Sequence, residues 1–342
     1  MSTRPTQNDV AKAAGVSRST VSYVLNLNES SRVPISQETR ERVLKAMKEL
    51  NYEPDTRAQM LRSGKTKTVG ILVPDMQNPH YWQYLSGVEQ EAHNQGFALL
   101  IYHSSLNREE EGAGLRALAG RRVDGLIVLS AFTRFSEIEL RELADSRLPV
   151  VDFSPTESPF DCVSANYREA TRLLMHHLIG LGHERIALVY GVPDFDIGRD
   201  RLEPYREGLR AAGIGAEDEH VATCGTTVED GYLAALGLLD KPHRPTAIVA
   251  VNDFLAFGVM RAAADRGLSI PGDLSVAGFD DIPLVKYTTP RLTTVHRDTE
   301  EAGRLAFRIL VDRMNDPAMP RRCEQIGSRL VVRESTGTAP RP

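Results

Sequence analysis

Cysteine, tryptophan and long apolar runs are all scarce in this sequence. Its 342 residues include three cysteines and one tryptophan. Cys162, Cys224 and Cys323 are far apart and fit neither a disulfide framework nor a zinc-ligand spacing, so we expect free thiols in a reducing cytoplasm. No stretch of about 18 apolar residues occurs, which predicts no membrane span. Residues 1–9 lack the apolar core of a signal peptide, which predicts a cytoplasmic protein.

Positive charge is in deficit over most of the chain but not at its start. Residues 1–67 contain 12 lysines and arginines against 7 aspartates and glutamates, whereas the remaining residues contain 29 against 39. The formal net charge of −5 therefore hides a basic head on an acidic body. This asymmetry indicates that only the head meets a polyanion. The 41% of hydrophobic and 25% of charged residues are typical of a folded globular protein.

Helix start and stop signals divide the first 54 residues into three helices. Thr6 and Asp9 predict the capped start of a helix that Gly15 ends. Ser17 is a good N-cap for a second helix. A third helix follows Ser36, with four apolar residues directed inward, namely Val43, Leu44, Met47 and Leu50. Two short helices joined by a glycine-containing turn, with a third in support, indicate a helix-turn-helix unit.

The second helix is expected to place polar side chains against the major groove of DNA. These side chains are Ser17, Arg18, Ser19, Ser22 and Tyr23. Arg18 can donate two hydrogen bonds to O6 and N7 of guanine, and Ser19 can donate or accept at a base edge. Backbone N–H groups at the helix starts can hold phosphates. A three-helix protein-interaction module is the alternative, and the polar, basic face disfavours it.

These residues resemble the lactose/galactose repressor family of bacterial transcription factors. The matching motifs are DVAKAAGVS at residues 9–17, STVS at 19–22, LN at 25–26, TRERV at 39–43 and LNYEP at 50–54. The resemblance implies that Arg18, Ser19 and Tyr23 read bases. The family commonly has an arginine at the position of Tyr23, so the base read there does not transfer. It also implies a symmetric dimer on a pseudo-palindromic operator.

A short segment after Pro54 is predicted to be a hinge. Residues 56–62 can form about two turns of helix, which are marginal in water without support. The segment resembles the hinge helix of the same family, which orders on DNA as a symmetric pair in the minor groove. By that resemblance Leu61 is the wedge that opens a base step, and Arg57 and Ala58 lie in the groove. A flexible linker is the alternative.

From Thr68 onward, buried strands alternate with helical stretches. Such alternation predicts parallel sheets with right-handed crossovers, and its restart near Ile186 predicts two doubly wound lobes. The expected fold is an all-α helix-turn-helix headpiece joined to a two-lobed α/β domain, which the resemblance identifies with the type I periplasmic-binding-protein-like fold. We expect a DNA-binding domain, a hinge and an effector domain at residues 1–54, 55–67 and 68–342.

The effector domain is expected to cross between its lobes more than once, because motifs near its end resemble the family segment that returns to the first lobe. These motifs are TTV at residues 293–295 and GRLA at 303–306. Lobe 1 is therefore predicted to combine about residues 68–163 with 293–325. Lobe 2 is predicted to combine about residues 164–292 with 326–342.

Ligands of doubly wound folds lie at the carboxyl ends of the strands. The candidate effector-binding residues at or near those ends are Asp75, Asn78, Trp82, Ser130, Arg201, Asn252, Asp253, Phe254 and Asp280. Carboxylates, amides and an arginine suit a polyhydroxylated ligand, and aromatic faces suit its apolar surface. The family resemblance implies a sugar, nucleobase or similar metabolite anchored by Arg201 and Asp280. A strand-end cap or a core position is the alternative for each residue.

Signs of catalysis and of metal binding are missing from the sequence. No nucleophile elbow, paired CxxC or HExxH motif occurs, and the adjacent His176 and His177 would point to different helix faces. We therefore expect no enzyme activity, no cofactor and no metal. The expected function is a ligand-responsive transcriptional regulator, in this family most often a repressor, acting as a homodimer on operator DNA at the nucleoid, with a tetramer left open. A solute-binding protein and an architectural DNA binder without ligand control are the alternatives.

Overall fold

The computed structural model of the chain describes a set of ranges that cover most of its length. They are residues 5–25, 35–52, 65–120, 123–129, 136–153, 159–191, 196–215 and 220–341. The chain divides into two compact units, residues 1–65 and 66–342. Among the helices of the described ranges, none is both long and apolar enough to cross a membrane.

The first helix, α1 (Gln7–Ala14), begins and ends where the local sequence predicts. The Thr6 hydroxyl accepts from the backbone N–H of Asp9, and the Asp9 carboxylate accepts from the backbone N–H of Thr6 at 2.8 Å. This reciprocal capping box satisfies donors that a helix start otherwise leaves free. Gly15 then takes the left-handed conformation, with φ at 64°, and donates to carbonyls of the last turn. Both end signals are therefore confirmed.

The second helix, α2 (Arg18–Leu25), follows Ser17 directly. The Ser17 hydroxyl oxygen accepts from the backbone N–H of Thr20 at 3.1 Å, which is the geometry of an N-cap. Val21 and Val24 are buried on the inner face of α2. The two helices and the turn between them therefore have the predicted helix-turn-helix form.

The third helix, α3 (Gln37–Glu49), closes the small core of this unit. Ser36 caps it by accepting from the backbone N–H of Thr39 at 3.2 Å. The core combines residues of all three helices, namely Val10, Ala11, Ala14, Val21, Val24, Val43, Ala46 and Tyr52. The inward placement of Leu44 is wrong: its side chain is 48% exposed and Ala46 is buried instead. The smaller Ala46 faces the core because it follows Val43 by three residues.

The second unit begins with alternating strands and helices. In chain order they are β1 (Thr68–Val73), α4 (Pro79–Asn94), β2 (Ala98–His103), α5 (Arg108–Gly120), β3 (Gly125–Val128), α6 (Glu137–Ser146), β4 (Val150–Asp152) and β5 (Asp161–Ala165). The alternation continues with α7 (Tyr167–Gly180), β6 (Ile186–Gly191), α8 (Asp196–Ala211), β7 (Val221–Cys224), α9 (Val228–Leu239), β8 (Ala247–Ala250), α10 (Asp253–Asp265) and β9 (Ser275–Asp280). A 3₁₀ turn (Pro283–Lys286) precedes the last elements, β10 (Thr293–Arg297), α11 (Thr299–Asn315), β11 (Cys323–Ile326) and β12 (Ser328–Val331).

These strands form two six-stranded sheets, one for each predicted lobe. The first has the order β11-β5-β4-β3-β1-β2 and is parallel throughout. The second has the order β12-β10-β9-β8-β6-β7, in which only β12 runs antiparallel to its neighbour. Each sheet has β1 or its counterpart β6 as the second strand from one edge, so the two lobes repeat one topology. The parallel sheets predicted from the alternation are confirmed.

The assignment of residues 293–297 to the first lobe is wrong. They form β10, which pairs with β9 in the second sheet, with Thr293 beside Ala277. The three residues Thr293, Thr294 and Val295 are buried there, so the strand fills a place in the second lobe's core. The chain returns to the first lobe only after Arg297, where α11 packs against α4.

The expectation that all three cysteines are free is also wrong. Cys162 and Cys323 form a disulfide bond across a sequence separation of 161 residues. They lie directly opposite each other on the parallel strands β5 and β11, which brings their Cα atoms to 4.5 Å. Cys224 remains a free thiol, and burial raises its pKa to about 12. Pairing of distant strands is a tertiary property that cysteine spacing does not show.

Two helices of the first lobe meet through glycines. A Cβ atom at Gly87 on α4 would overlap the backbone carbonyl oxygen of Glu300, and one at Gly303 on α11 would overlap that of Tyr84. The helix backbones therefore touch where no side chain fits. Their close approach depends on glycine at both positions.

Replacing Gly87 with alanine should therefore lower the free energy of unfolding by about 1–3 kcal/mol, because α4 and α11 must move apart. Chemical denaturation of the full chain measures the change. Gly237→Ala on α9 is the matched control: nothing lies within 4 Å of the added Cβ. Its better helix propensity should raise stability by about 0.5–1 kcal/mol. Equal changes in the two variants would contradict the close packing.

Candidate functional site

The outer face of α2 carries the side chains predicted to read DNA. Ser17, Arg18 and Ser19 are exposed, and Tyr23 is 44% exposed. Ser22 is half-buried on the same helix. Because Val21 and Val24 hold the opposite face in the core, the polar face is held outward on a rigid element. This arrangement can insert into a major groove, where an α-helix fits.

Local hydrogen bonds orient the start of α2. The hydroxyl of Ser17 lies 2.7 Å from that of Ser19. The Nε of Arg18 donates to Oε1 of Gln7 on α1 at 3.5 Å, the limit of hydrogen-bonding distance. That weak contact leaves the Nη donors of Arg18 for a bidentate contact to a planar acceptor.

Several predicted site residues lie outside the described ranges. They are the hinge residues Arg57, Ala58 and Leu61, together with Ser130 after β3. Their roles therefore stay predictions.

The predicted residues of the first lobe follow β1. Asp75 is half-buried and accepts from the backbone N–H of Gln77 at 2.7 Å. Asn78 is buried and caps α4 by accepting from the backbone N–H of His80 at 3.0 Å. Trp82 is 50% exposed, and its ring N–H donates to the carbonyl of Met76 at 3.0 Å. Asn78 has a structural role as a helix cap, whereas Asp75 and Trp82 keep surface for a ligand.

In the second lobe, Asn252 and Asp253 begin α10. Asn252 caps the helix by accepting from the backbone N–H of Leu255 at 2.8 Å. The two carboxylate oxygens of Asp253 accept from the Thr294 hydroxyl at 2.6 Å and from the backbone N–H of Ile282 at 2.9 Å. Burial, together with the nearby Asp280, raises the pKa of Asp253 well above its ordinary value. Asp253 therefore ties α10 to β10 through its buried carboxyl group.

Phe254, the third predicted residue of this segment, is half-buried. Its ring lies 6.2 Å from that of Phe257, measured between centroids, and both pack against the core of the second lobe. The ring therefore serves the packing of α10, and a role in ligand stacking remains a prediction.

Asp280, the predicted anchor at the end of β9, is part of a buried ion pair. Its Oδ1 accepts from Nη2 of Arg297 at 2.6 Å, and the side chains are 4% and 0% exposed. The backbone of Asp280 has φ at 105°, which is strained for a residue with a side chain. Strain of this kind persists only where the surroundings hold it, and it is frequent at functional sites.

Arg297 also binds two groups other than Asp280. Its Nη2 donates to Nε2 of His80 at 2.9 Å, and its Nη1 donates to the Tyr167 hydroxyl at 2.6 Å. His80 lies in the first turn of α4 in the first lobe, whereas Tyr167, Asp280 and Arg297 belong to the second. The carboxyl ends of the two sheets therefore face each other, and Arg297 connects the lobes there.

Arg201 on α8 completes this group. Its guanidinium carbon lies 4.3 Å from the centroid of the Tyr167 ring and 5.6 Å from that of Phe279. The guanidinium carbon of Arg297 lies 4.6 Å from the same Tyr167 ring. We call His80, Tyr167, Arg201, Asp280 and Arg297 the inter-lobe site. Two buried cations therefore share one aromatic ring, with cation–π attraction to each.

Burial and charge set the protonation states of the inter-lobe site. Burial lowers the pKa of His80 to about 3, and the cations Arg297 and Arg201 act in the same direction against Asp280. His80 is therefore neutral, with Nε2 as the acceptor and Nδ1 carrying the proton. Burial alone would raise the pKa of Asp280, but the guanidinium charges of Arg297 and Arg201, together with the hydrogen bond from Arg297, outweigh it and lower the pKa. Asp280 is therefore a carboxylate.

Three buried nitrogens of the inter-lobe site have no hydrogen-bond partner within the described part of the chain. They are Nδ1 of His80, which lies 3.5 Å from Oδ1 of Asp280 without making a hydrogen bond, Nε of Arg201 and Nε of Arg297. Each is a donor, and unmatched buried donors are costly unless an acceptor completes them. Hydroxyl, carboxylate and phosphate oxygens are the acceptors that suit them.

Sequence reasoning found Arg201 and Asp280 but missed the other members of this site. Arg297 and His80 are the clearest omissions, since each makes short contacts to the predicted anchor or its partner. The signal for Arg297 is its position at the carboxyl end of β10, the strand that the sequence motifs assign to the wrong lobe. The signal for His80 is its position at the start of the helix that follows β1.

Comparison with known proteins places the chain among bacterial regulators. A family model described as bacterial regulatory proteins, lacI family, matches residues 6–55. A second model, described as a periplasmic binding protein-like domain, matches residues 175–336. The ribose operon repressor of Escherichia coli (strain K12) is 34% identical over 335 residues, which cover 96% of this chain and 99% of that repressor.

Solved structures with this architecture include regulators bound to DNA and to a sugar. The lac repressor dimer bound to operator and the anti-inducer ONPF has a TM-score of 0.85 at 27% identity, covering 98% of this chain and 100% of its own. A LacI family transcriptional regulator from Enterococcus faecium with bound ribose has a TM-score of 0.72 at 29% identity, covering 79% of this chain and 99% of its own. The predicted fold, a helix-turn-helix headpiece with a two-lobed α/β domain, is confirmed.

Proposed function

Because this chain belongs to the lacI family of bacterial regulatory proteins, it is a ligand-responsive, DNA-binding transcriptional repressor, and we propose that it binds a pseudo-palindromic operator as a homodimer. The observation that carries this proposal is the exposed polar face of α2, held outward by the buried Val21 and Val24. The solved lac repressor is a dimer on its operator, which supports the same assembly here.

We assign residues 1–54 to DNA binding and 55–67 to the hinge, and the boundary between the two compact units, after residue 65, falls within that hinge. We also propose that the protein acts in the cytoplasm, at the nucleoid. Selection from random duplexes with the full-length protein tests the core of the proposal. Enrichment of a two-fold symmetric sequence is expected, and no enrichment of any duplex would overturn DNA reading.

Replacing Arg18 with alanine should weaken binding to the selected operator by about 1–3 kcal/mol and relax preference at one base pair of each half-site. The reason is loss of a bidentate contact to a base edge. Competition binding to duplexes altered at single positions measures both effects. Lys12→Ala, an exposed basic change on α1, is the matched control and should weaken binding similarly on all sequences. Equal losses on specific and random DNA for Arg18→Ala would contradict base reading.

We propose that the controlling ligand is a sugar or similar polyol held at the inter-lobe site. The carboxylate of Asp280 and the three unmatched donors of His80, Arg201 and Arg297 suit neighbouring hydroxyl groups. Asp75 and Trp82 at the end of β1 add an acceptor and an apolar face from the first lobe. The bound ribose of the Enterococcus faecium regulator and the ribose operon repressor support a sugar of this size.

Arg201→Gln should weaken ligand binding about 10- to 150-fold, because one charge-assisted hydrogen bond is worth about 1.5–3 kcal/mol. A thermal-shift screen of sugars on the full-length protein, starting with D-ribose, identifies the ligand and gives its affinity. Arg172→Gln on the exposed face of α7 is the matched control and should keep the wild-type affinity. Operator binding should be unchanged in both. Loss of operator binding in Arg201→Gln would instead assign Arg201 a structural role.

A further inference from the structure

The disulfide between Cys162 and Cys323 joins an inner strand to an edge strand. Cys162 on β5 is fully buried. Cys323 is exposed on β11, the outermost strand of the first sheet. A disulfide with one member at a sheet edge can be approached by a small thiol from that side only. The bond therefore has a defined point of attack, the sulfur of Cys323.

An arginine lies beside the buried sulfur. Nη2 of Arg321 is 3.7 Å from Sγ of Cys162, and Nε of Arg321 donates to the carbonyl of Phe160 at 2.7 Å, which holds the guanidinium in place. A nearby cation stabilises a thiolate and so makes it a better leaving group. Attack at Cys323 therefore expels the sulfur that has a cation next to it.

We propose that Cys162 and Cys323 form a reversible redox site that exchanges with small thiols and disulfides of the glutathione type. In reduction, a thiolate attacks Sγ of Cys323, the Cys323–Cys162 bond breaks, and its electron pair stays on Sγ of Cys162 beside Arg321. A second thiolate then attacks the added sulfur, releasing Cys323 as a thiolate. Two small thiols become one small disulfide, and the protein disulfide becomes two thiols. Oxidation is the reverse, with the small disulfide as oxidant.

The position of the bond in the chain connects it to the lobes. β5 leads directly into the first crossing to the second lobe, and β11 leads through Gly327 into the last one. The segment between the two cysteines, which are 161 positions apart, contains the whole of the second sheet except β12. The oxidised site therefore fixes two of the crossings at their first-lobe ends. Its reduction should loosen β11 and change how the lobes respond to ligand, a consequence that rests on the proposed function.

The chemistry can be tested without knowing the ligand or the operator. The full-length protein is equilibrated in buffers that range from reduced to oxidised glutathione, then alkylated and analysed by mass spectrometry. The Cys162–Cys323 link should titrate from absent to complete in wild type and in the control Cys224→Ser. In Cys162→Ser, glutathione should attach to Cys323, whereas in Cys323→Ser the buried Cys162 should stay unmodified. A pair that stays reduced, or stays linked, in every buffer would overturn the proposal, as would equal modification of the two single variants.

The effect of the disulfide on strand β11 can be measured separately. Hydrogen exchange of the backbone amides in β11 should be at least about tenfold faster in the reduced protein, since freeing an edge strand lowers its opening free energy. Strand β2, the opposite edge of the same sheet, is the internal control and should not change. Identical exchange of β11 in both redox states would show that the disulfide does not hold this strand in place. If the protein selected no operator sequence, the glutathione titration and the hydrogen-exchange test would still be valid. The redox proposal and the proposed function can therefore fail independently.

Discussion

Replacing Arg297 with methionine should lower the free energy of unfolding by about 3–5 kcal/mol, because the substitution leaves a buried carboxylate without its cation. Asp280 is 3% exposed, and its pKa is lowered below the ordinary value by the charged groups around it. The same substitution removes the donors that His80 and Tyr167 accept from. Urea denaturation of the full chain at neutral pH measures the loss.

Two further variants separate this buried pair from an ordinary ion pair. Arg291→Met removes an exposed partner of Glu334 and should have little effect, because water solvates both groups. The double variant Arg297→Met with Asp280→Asn should recover part of the loss, since it removes the isolated charge as well. A loss in Arg297→Met no larger than that in Arg291→Met would show that Arg297 is not needed to hold Asp280.

The helix ends of the N-terminal unit could be predicted because their signals are local. Thr6, Asp9, Gly15 and Ser17 act on backbone groups within four residues of themselves. The alternation of strands and helices could be predicted for a similar reason, since buried parallel strands are continuous apolar runs. The sheet that β10 joins could not, because membership depends on which distant strand offers a free edge. The disulfide is hidden from the sequence for the same reason.

The candidate site could be predicted only where a residue's type and strand-end position agree. Asp280 and Arg201 are both buried in the inter-lobe site, in agreement with their predicted position in the cleft. Asn78 and Asn252 have the same signal, yet both cap helices, because amides at strand ends serve either purpose. His80 and Arg297 are 217 residues apart in the chain, so the position of each marks it singly but nothing local shows that the two meet.

The inter-lobe site places charged groups at the junction of the lobes. A neutral His80 on α4 accepts from a guanidinium that belongs to the second lobe and already binds Asp280. A ligand that uses the carboxylate of Asp280 competes for the same lone pairs as Arg297. Ligand binding therefore has a direct route to the contact between the lobes, through hydrogen bonds that can be measured one at a time.

Between pH 6.5 and about pH 4.5, the free energy of unfolding should fall by about 2–3 kcal/mol less in His80→Gln than in the wild type. Burial lowers the pKa of His80 from 6.5 to about 3 in the folded protein. As the pH falls below 6.5 the unfolded chain therefore binds a proton that the folded chain does not. The stability that His80 contributes is full above pH 6.5 and declines towards pH 3. Glutamine keeps an acceptor for Arg297 but does not titrate.

Urea denaturation at a series of pH values measures this difference as a change of slope, about 1.4 kcal/mol for each pH unit when one proton is involved. His93→Gln is the matched control, because His93 is exposed on the same helix and is solvated in both states. It should follow the wild-type profile. A His80→Gln profile parallel to that of the wild type would show that His80 gains a proton in the folded protein as readily as in the unfolded chain, and the neutral contact between the lobes would then be wrong.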